Sequence, residues 1–552
     1  METPLTPLEF MRRARRLYPG RDAVVDGTLR WTYAEFGEHI DRWSAALQGL
    51  GVGQGDRVAY IAPNTHAQLT SFYAVPQIGA VLVPINYRLA PDEFTYLIEH
   101  SGSTVVCVDG DYLDAVDRIR PRLSQVRHFV ALDHPRDGWL DYHALVRETP
   151  PEPRLSAVGE RDLLTINYTS GTTSRPKGVM ITHRNAWMNS VGMLTHIRMS
   201  PADAYLWTLP MFHANGWTFT WTVTAVGAKH VCLRKVEPAA VFRLATAERV
   251  TWMCAAPTVL IALAGAPADM RGFAPRGVHV MTAGAPPAAV TIDRLEQGLG
   301  WTVIQIYGLT ETAPAISICE PRPEHADLAS AERARIKARQ GVELITSGEL
   351  RVVDANGNEV PWDGAAVGEI VARGNVIMAG YYNDPEATAR VMSGGWFHTG
   401  DAAVIHPDGY VEIRDRLKDV IISGGENISS VEVEATLLAH EAVQEAAVVG
   451  MPDEKWGEAP TPSSSSSLAL RRPETCSASS AAPASPISRC RIRSHRYRSC
   501  RRRRPARSRS SCCARAGPTC PVSKPPGWGL APLHWKLRQF LLAEQNLQRY
   551  RL

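Results

Sequence analysis

The feature that most constrains this chain is an alternation. Short, mostly apolar runs recur along it: "RVAYIA", "AVLVPI", "TVVCVD", "HFVALD", "LLTINYT", "HVCLRK", "WMCAAP", "HVMTAG" and "TVIQIYG". Such runs describe strands buried on both faces, and strands of that kind need helices to cover them. The segments between them have helical period. "TYAEFGEHIDRWSAALQGLG" reads as an amphipathic helix closed by glycine. The pattern predicts an α/β fold, with a large N-terminal domain of mixed and largely parallel sheets flanked by helices. After Gly348 the segments become shorter and β-rich, as in "GELRVVDANGNEV", "GEIVARG" and "GYVEIRDR". "DANGNE" is a turn signal between two strands. A β-rich subdomain is expected from about that point.

At Pro460 the alternation stops. From Thr461 to Cys520 there are 14 Arg, 15 Ser and six of the ten Cys, with no Lys or Asp and a single Glu. That stretch carries +13 of a chain total of +4, which leaves the remainder at −9. The overall charge therefore gives no case for a polyanion partner. The stretch has neither helical nor strand period and cannot bury enough apolar surface to offset the entropy of ordering. Disorder is expected over 461–552, with a short helix at "HWKLRQFLLAEQNLQRY". The other four cysteines, Cys107, Cys232, Cys254 and Cys319, are scattered, as in a reducing cytosol. No apolar leader and no run of membrane-spanning length is read, so a cytoplasmic protein is expected.

"YTSGTTSRPKG", Tyr168 to Gly178, follows an apolar strand and carries five hydroxyl side chains, two glycines and Lys177. Closely approaching backbone N–H groups, hydroxyl donors and a mobile cation are what a phosphate needs. It is not a Walker A loop, because the second glycine before the lysine is missing.

The stretch resembles the phosphate loop of the adenylate-forming superfamily, which includes acyl-CoA ligases. "YGLTE" (Tyr307–Glu311), "FHTGD" (Phe397–Asp401) and "DRLKDVIISGGENISSVEVE" (Asp415–Glu434) stand in that family's order. The resemblance covers roughly Thr6 to Pro460. One departure is Ser174, where the family usually has glycine.

The resemblance implies a two-step reaction. A carboxylate attacks the α-phosphate of ATP, giving acyl-AMP and pyrophosphate; coenzyme A then takes the acyl group and AMP leaves. Thr169, Ser170, Gly171, Thr172, Thr173 and Lys177 would hold the β- and γ-phosphates. Thr310 would donate to the α-phosphate and Glu311 would hold Mg²⁺, a hard cation suited to a carboxylate beside phosphates. Lys177, Thr310 and Glu311 form the expected catalytic set. Tyr307 would stack on adenine, with Gly284, Ala285, Gln305 and Ile306 lining its pocket. Asp401 would accept the ribose hydroxyls and Arg416 would bind ribose and phosphate oxygens. Lys418 would be the hinge between a large domain, 1–415, and a small α+β domain, of which 416–460 remain. Gly424 and Gly425 would let the backbone approach coenzyme A.

"PMFHANGWTFTW" brings His213, Trp217 and Trp221 together. The resemblance places this segment near the acyl group, and two tryptophans would shorten a pocket to suit short- or medium-chain or aryl acids. Read from residues alone, the aromatics are core. His230 and His279 are read as core or surface residues.

The family's small domain ends on a lysine loop, P-x-T-x-x-G-K-[IV], and no such motif follows Pro460. Codon arithmetic locates it. "RRRPARSRSSCC", written in GC-rich codons and read in a neighbouring frame, gives T-A-T-G-K-I-Q-K-F-V-L. On the same frame "PISRCR" gives H-F-K-V-P, and the serine run gives valines. A frameshift near Pro460 accounts for the arginines, so the alternative of a tail that binds polyanions is set aside; the tail also lacks interleaved aromatics. A second alternative, a non-catalytic acyl-AMP scaffold, follows if the chain works as written. Reading the nucleotide sequence in the neighbouring frame is expected to show the Gly-Lys loop, its AAG codon split across Ala506 and Arg507. A neighbouring frame without that loop ends the frameshift reading.

Overall fold

The structure, a computed structural model, describes residues 2–466 except 170–174, 286, 424–425, 439–442 and 454–455. The described residues belong to one compact unit, Met1–Ile487. The disorder and the terminal helix expected beyond residue 466 lie outside them.

Two large sheets form the body. One has nine strands. Its centre runs in the order Thr302–Gly308, His279–Thr282, Trp252–Cys254, Ala204–Leu206, Lys229–Val231, Asp22–Asp26, and every adjacent pair among these is parallel. The other has eight strands, with Leu163–Thr169, Val81–Ile85, Arg57–Ile61, Val105–Val108 and His128–Ala131 parallel in that order. Antiparallel strands close the margins, among them Lys177–Thr182 and Gly380–Tyr381 beside Leu163–Thr169. The apolar runs of the sequence are these strands, and Tyr33–Gly49 is the amphipathic helix, opened by a Thr32–Glu35 capping box.

Beyond Gly348 the chain forms the expected β-rich part, a five-stranded antiparallel sheet containing Glu349–Val353, Gly368–Arg373, Trp396–Ile405 and Val411–Arg416. The turn at "DANGNE" forms, with Asp354 accepting the amides of Asn356 and Asn358. A four-stranded sheet follows, with helix Ser430–Leu438. Its strand Gly457–Ser466 runs six residues past Pro460. The extension rests on main-chain pairing with Val443–Asp453, which does not depend on side-chain identity.

One core cluster takes residues from both large sheets, including Trp43, Tyr60, Trp207, Trp221 and Ile306. Four of its large aromatics end on a polar tip that finds a partner inside the core. Trp43 Nε1 donates to the Tyr60 hydroxyl at 2.6 Å, Tyr33 to the Ala228 carbonyl at 2.6 Å, Tyr73 to the Thr220 carbonyl at 2.6 Å, and Trp221 to the Phe72 carbonyl at 3.2 Å.

The stretch Ala214–Thr218 is a left-handed turn, with φ between 44° and 63° at all five residues. Non-glycine residues pay a steric penalty there, so the surroundings must hold the turn in place. They do so through a closed ring of hydrogen bonds: Asn167 to Asn215 (2.9 Å), Asn215 to Thr165 (2.9 Å) and Thr165 to Asn167 (2.7 Å). At Gly216 a Cβ would lie 2.4 Å from Trp207 Cζ3. Trp207 cannot yield, being fully buried and bonded through Nε1 to His230 at 3.2 Å. Gly216→Ala is therefore expected to destabilise the protein by about 2–4 kcal/mol, combining overpacking with positive φ. Denaturant unfolding of the two proteins measures the difference.

Candidate active site

Open parallel sheets bind ligands beyond the carboxyl ends of their strands, where the chain turns. Thr169 ends one such strand and Tyr307 and Gly308 end another; Gly284 and Ala285 follow a third. Among the described residues, Thr169, Gly284, Ala285, Gln305, Ile306, Tyr307 and Thr310 of the expected set lie at or just past these ends.

Lys177 opens the antiparallel strand that follows Leu163–Thr169, directly opposite Thr169. Ser170, Gly171, Thr172 and Thr173, with Gly424 and Gly425, lie outside the described residues. Thr310 and Glu311 are half-buried in a single turn, Thr310–Thr312, just after the strand that carries Tyr307. Glu311 Oε1 accepts the hydroxyl of Tyr381 at 2.8 Å, and the ring of the same tyrosine lies under Lys177 Nζ, 4.7 Å from its centroid.

Gln305 is 2% exposed and its Oε1 has no hydrogen-bond partner. Thr282, its register partner on the adjacent strand, is also buried with an unpartnered Oγ1. Both atoms are enclosed by protein, two neighbouring polar groups inside the end of the sheet. Gly284, at φ +90°, is exposed with no heavy atom within 4 Å of where a Cβ would stand. Gly284 and the exposed Ala285 follow just after the strand that ends at Thr282. Ile306, next to Gln305 in the chain, is buried in the core.

Tyr307 is largely enclosed, in an apolar cluster with Ile316, Val376 and Ala403. Its hydroxyl donates to Asp401 Oδ2 at 2.7 Å. Asp401 comes from the β-rich sheet, is 3% exposed, and lies 3.3 Å through Oδ1 from Arg416 Nε on the adjoining strand. Burial raises its pKa, against the lowering effects of the Tyr307 hydrogen bond and the Arg416 charge. Each carboxylate oxygen keeps a further lone pair for a diol. Lys418 is exposed in the tight turn between Val411–Arg416 and Ile421–Ser423, where the amides of Asp419 and Val420 return to the Arg416 carbonyl. Asp415 fastens the next helix to this strand by accepting the Ser430 amide at 2.7 Å.

His213 precedes the left-handed turn. It is exposed, yet surrounding protein, and next the charge of Arg88, hold its pKa below the ordinary value. Trp217 is 4% exposed and Trp221 is fully buried in the core, so both fill space. His230 is a core residue with both ring nitrogens engaged, its pKa pushed down to about 3 by burial. His279 stacks on Trp252, its register partner, at the starts of two adjacent central strands.

The sequence reading missed Tyr381 and the Thr165–Asn167–Asn215 ring. The available signals were "GYYND" beside a turn and "ANG" inside an otherwise apolar segment. Neither says what the side chains touch.

Paired parallel sheets with a lysine and a carboxylate gathered at the carboxyl ends of their strands suit a nucleotide-using enzyme. The profile of the AMP-binding enzyme family matches residues 10–382, and that of the AMP-binding enzyme C-terminal domain matches 432–461. The chain is 43% identical over 468 residues to 4-hydroxybutyrate–CoA ligase 2 of Metallosphaera sedula, covering 83% of this chain and 84% of the relative. It is 39% identical over 477 residues to a peroxisomal butyrate–CoA ligase of Arabidopsis thaliana, covering 83% of each. The crystal structure of the anthranilate CoA ligase AuaEII in complex with anthranoyl-AMP shares the fold, with TM-score 0.78 and 24% identity over 86% of this chain and 90% of that one. The chain belongs to the AMP-binding enzyme family, and it is an AMP-forming acid–thiol ligase that works with ATP, Mg²⁺ and coenzyme A. Among the described residues no helix is long and apolar enough to cross a membrane.

Asp401→Asn removes the charge that accepts Tyr307 and faces Arg416. It is expected to weaken ATP binding about tenfold or more, as loss of a charge-assisted pair does. Calorimetric titration with ATP checks this.

Proposed function

We propose that the protein activates a short-chain carboxylic acid of about four carbons as its CoA thioester, and that the residues gathered above carry out the first half-reaction. The observation that carries the reading is the convergence of Lys177, Glu311 and the Tyr307–Asp401–Arg416 chain at the carboxyl ends of the strands. The substrate class rests on the two relatives named above, whose acids have four carbons.

In this reading Lys177 and the loop before it hold the β- and γ-phosphates, and Thr310 donates to the α-phosphate. Asp401 and Arg416 fix the ribose, and Gln305 and Gly284 set the adenine edge. Two anions must meet, so fixed positive charge and in-line placement matter more than a base. Bound Mg²⁺ supplies further charge neutralisation. Glu311 would hold it through Oε2, since Tyr381 takes Oε1; one carboxylate suits a cation that rides on phosphates. The acid's oxygen bonds to the α-phosphorus as pyrophosphate leaves; the thiolate then bonds to the acyl carbon as AMP leaves. Lys418 serves as the hinge in this reading, and Gly424 and Gly425 admit the pantetheine arm.

The boundaries 1–415, 416–460 and 461–552 belong to the same reading, with the frame lost near Pro460. Two observations favour it: the family match ends at residue 461, and the strand that continues to Ser466 is a run of serines there. The chain as written then lacks the second lysine and is impaired. A cytoplasmic location is supported by the four described cysteines, all free and buried.

A panel of carboxylic acids with ATP, Mg²⁺ and coenzyme A tests this on two proteins, the chain as written and one with the frame restored. Thioester and AMP are expected from the restored protein, highest with four-carbon acids, and pyrophosphate release at least about a hundredfold slower from the chain as written. Near-equal rates would overturn the impairment; a preference for long-chain acids would overturn the substrate class.

A further inference from the structure

Lys177 and Glu311 carry opposite charges and meet the same side chain. The ammonium lies over the face of the Tyr381 ring, 4.7 Å from its centroid, and the carboxylate accepts the hydroxyl at 2.8 Å. Tyr381 is 7% exposed and is held from several directions. Its strand pairs with that of Lys177, with Tyr381 opposite Val179, two residues along. Its amide donates to Thr388 Oγ1 at 2.9 Å. Three residues earlier, the Met378 amide donates to the Glu311 carbonyl at 2.8 Å. The segment 378–381 is thus stitched both to the lysine strand and to the glutamate turn.

An ammonium and a carboxylate free to move in a half-buried site attract each other more strongly than they would on the surface. Once paired, the lysine offers less to a phosphate and the glutamate less to a cation. A neutral ring prevents this without cancelling either charge, because its face attracts the cation and its hydroxyl solvates the anion. We propose that Tyr381 is a positioning residue that keeps Lys177 and Glu311 apart, so that each remains available to MgATP. The inference rests on the nucleotide roles given to those two residues under the proposed function. It adds a third residue that touches both and binds neither the phosphates nor the metal itself.

The test is ATP binding to the full 552-residue chain, titrated by calorimetry without metal and across a series of Mg²⁺ concentrations. Tyr381→Phe keeps the ring under Lys177 and releases Glu311. The Mg²⁺ concentration that gives half-maximal enhancement is expected to rise about tenfold, the scale of one hydrogen bond to a charged group, with metal-free ATP affinity changed less than about twofold. Tyr381→Leu removes both contacts and lets the charges meet. Metal-free affinity is expected to fall as well, by about fivefold or more. Circular dichroism and thermal unfolding confirm that the variants are folded, and Tyr381→Phe carries the test if Tyr381→Leu does not fold. An unchanged Mg²⁺ midpoint in Tyr381→Phe overturns the inference and leaves the nucleotide site standing. So does an equal loss with and without metal in both variants, which is the mark of a packing role. A wild-type chain whose ATP binding ignores Mg²⁺ removes Glu311 as a metal ligand, and the inference falls with it.

Discussion

The two large sheets are held in one relative placement by aromatic side chains that are apolar along most of their length and polar at the tip. Tyr33, Tyr73 and Trp221 each bury a large ring in the shared core and end on a main-chain carbonyl. Apolar packing alone tolerates sliding, whereas a hydrogen bond is made or missed over a fraction of an ångström. Each such bond adds only about 1 kcal/mol, but a buried tip left unpaired costs more than that, so slipped arrangements are excluded. The site depends on this. Thr169 ends a strand of one sheet and Tyr307 a strand of the other, and only a fixed relation between the sheets lets Lys177 and Glu311 reach one ring.

The β-rich part is joined to this body through the site itself. Asp401 reaches Tyr307 from the antiparallel sheet, and Arg416 reaches Asp401 from the neighbouring strand. The same strand carries Asp415, which holds the first turn of the following helix. The Asp401 contact and the attachment of the last described elements therefore share two adjacent residues, Arg416 and Asp415. A change at either one is felt on both sides of the Lys418 turn.

Much of this was legible in the sequence, for physical reasons. A strand buried on both faces has little freedom in composition, so the parallel strands stand out as apolar runs; the middle of the expected phosphate loop, 170–174, lies outside the described residues. Tyr381 did not stand out, because a tyrosine beside a turn is ordinary until its neighbours in space are known. The left-handed turn at Ala214–Thr218 was equally hidden: only one of its five residues is glycine, and the ring of hydrogen bonds that holds it joins residues about fifty apart in the chain. The strand through Ser466 ran past its expected end because periodicity reports side chains, while pairing there is a matter of the main chain.

That last strand has a practical side. Main-chain pairing has no means of proofreading side chains, so the strand opposite Val443–Asp453 accepts serine after serine without breaking its ladder. A strand end with that tolerance is a ready-made junction. Sequence downstream of Pro460 can be exchanged wholesale, as in grafting the end of a related ligase, while Asp415, the helix it holds and the strands that carry Asp401 and Arg416 stay as they are.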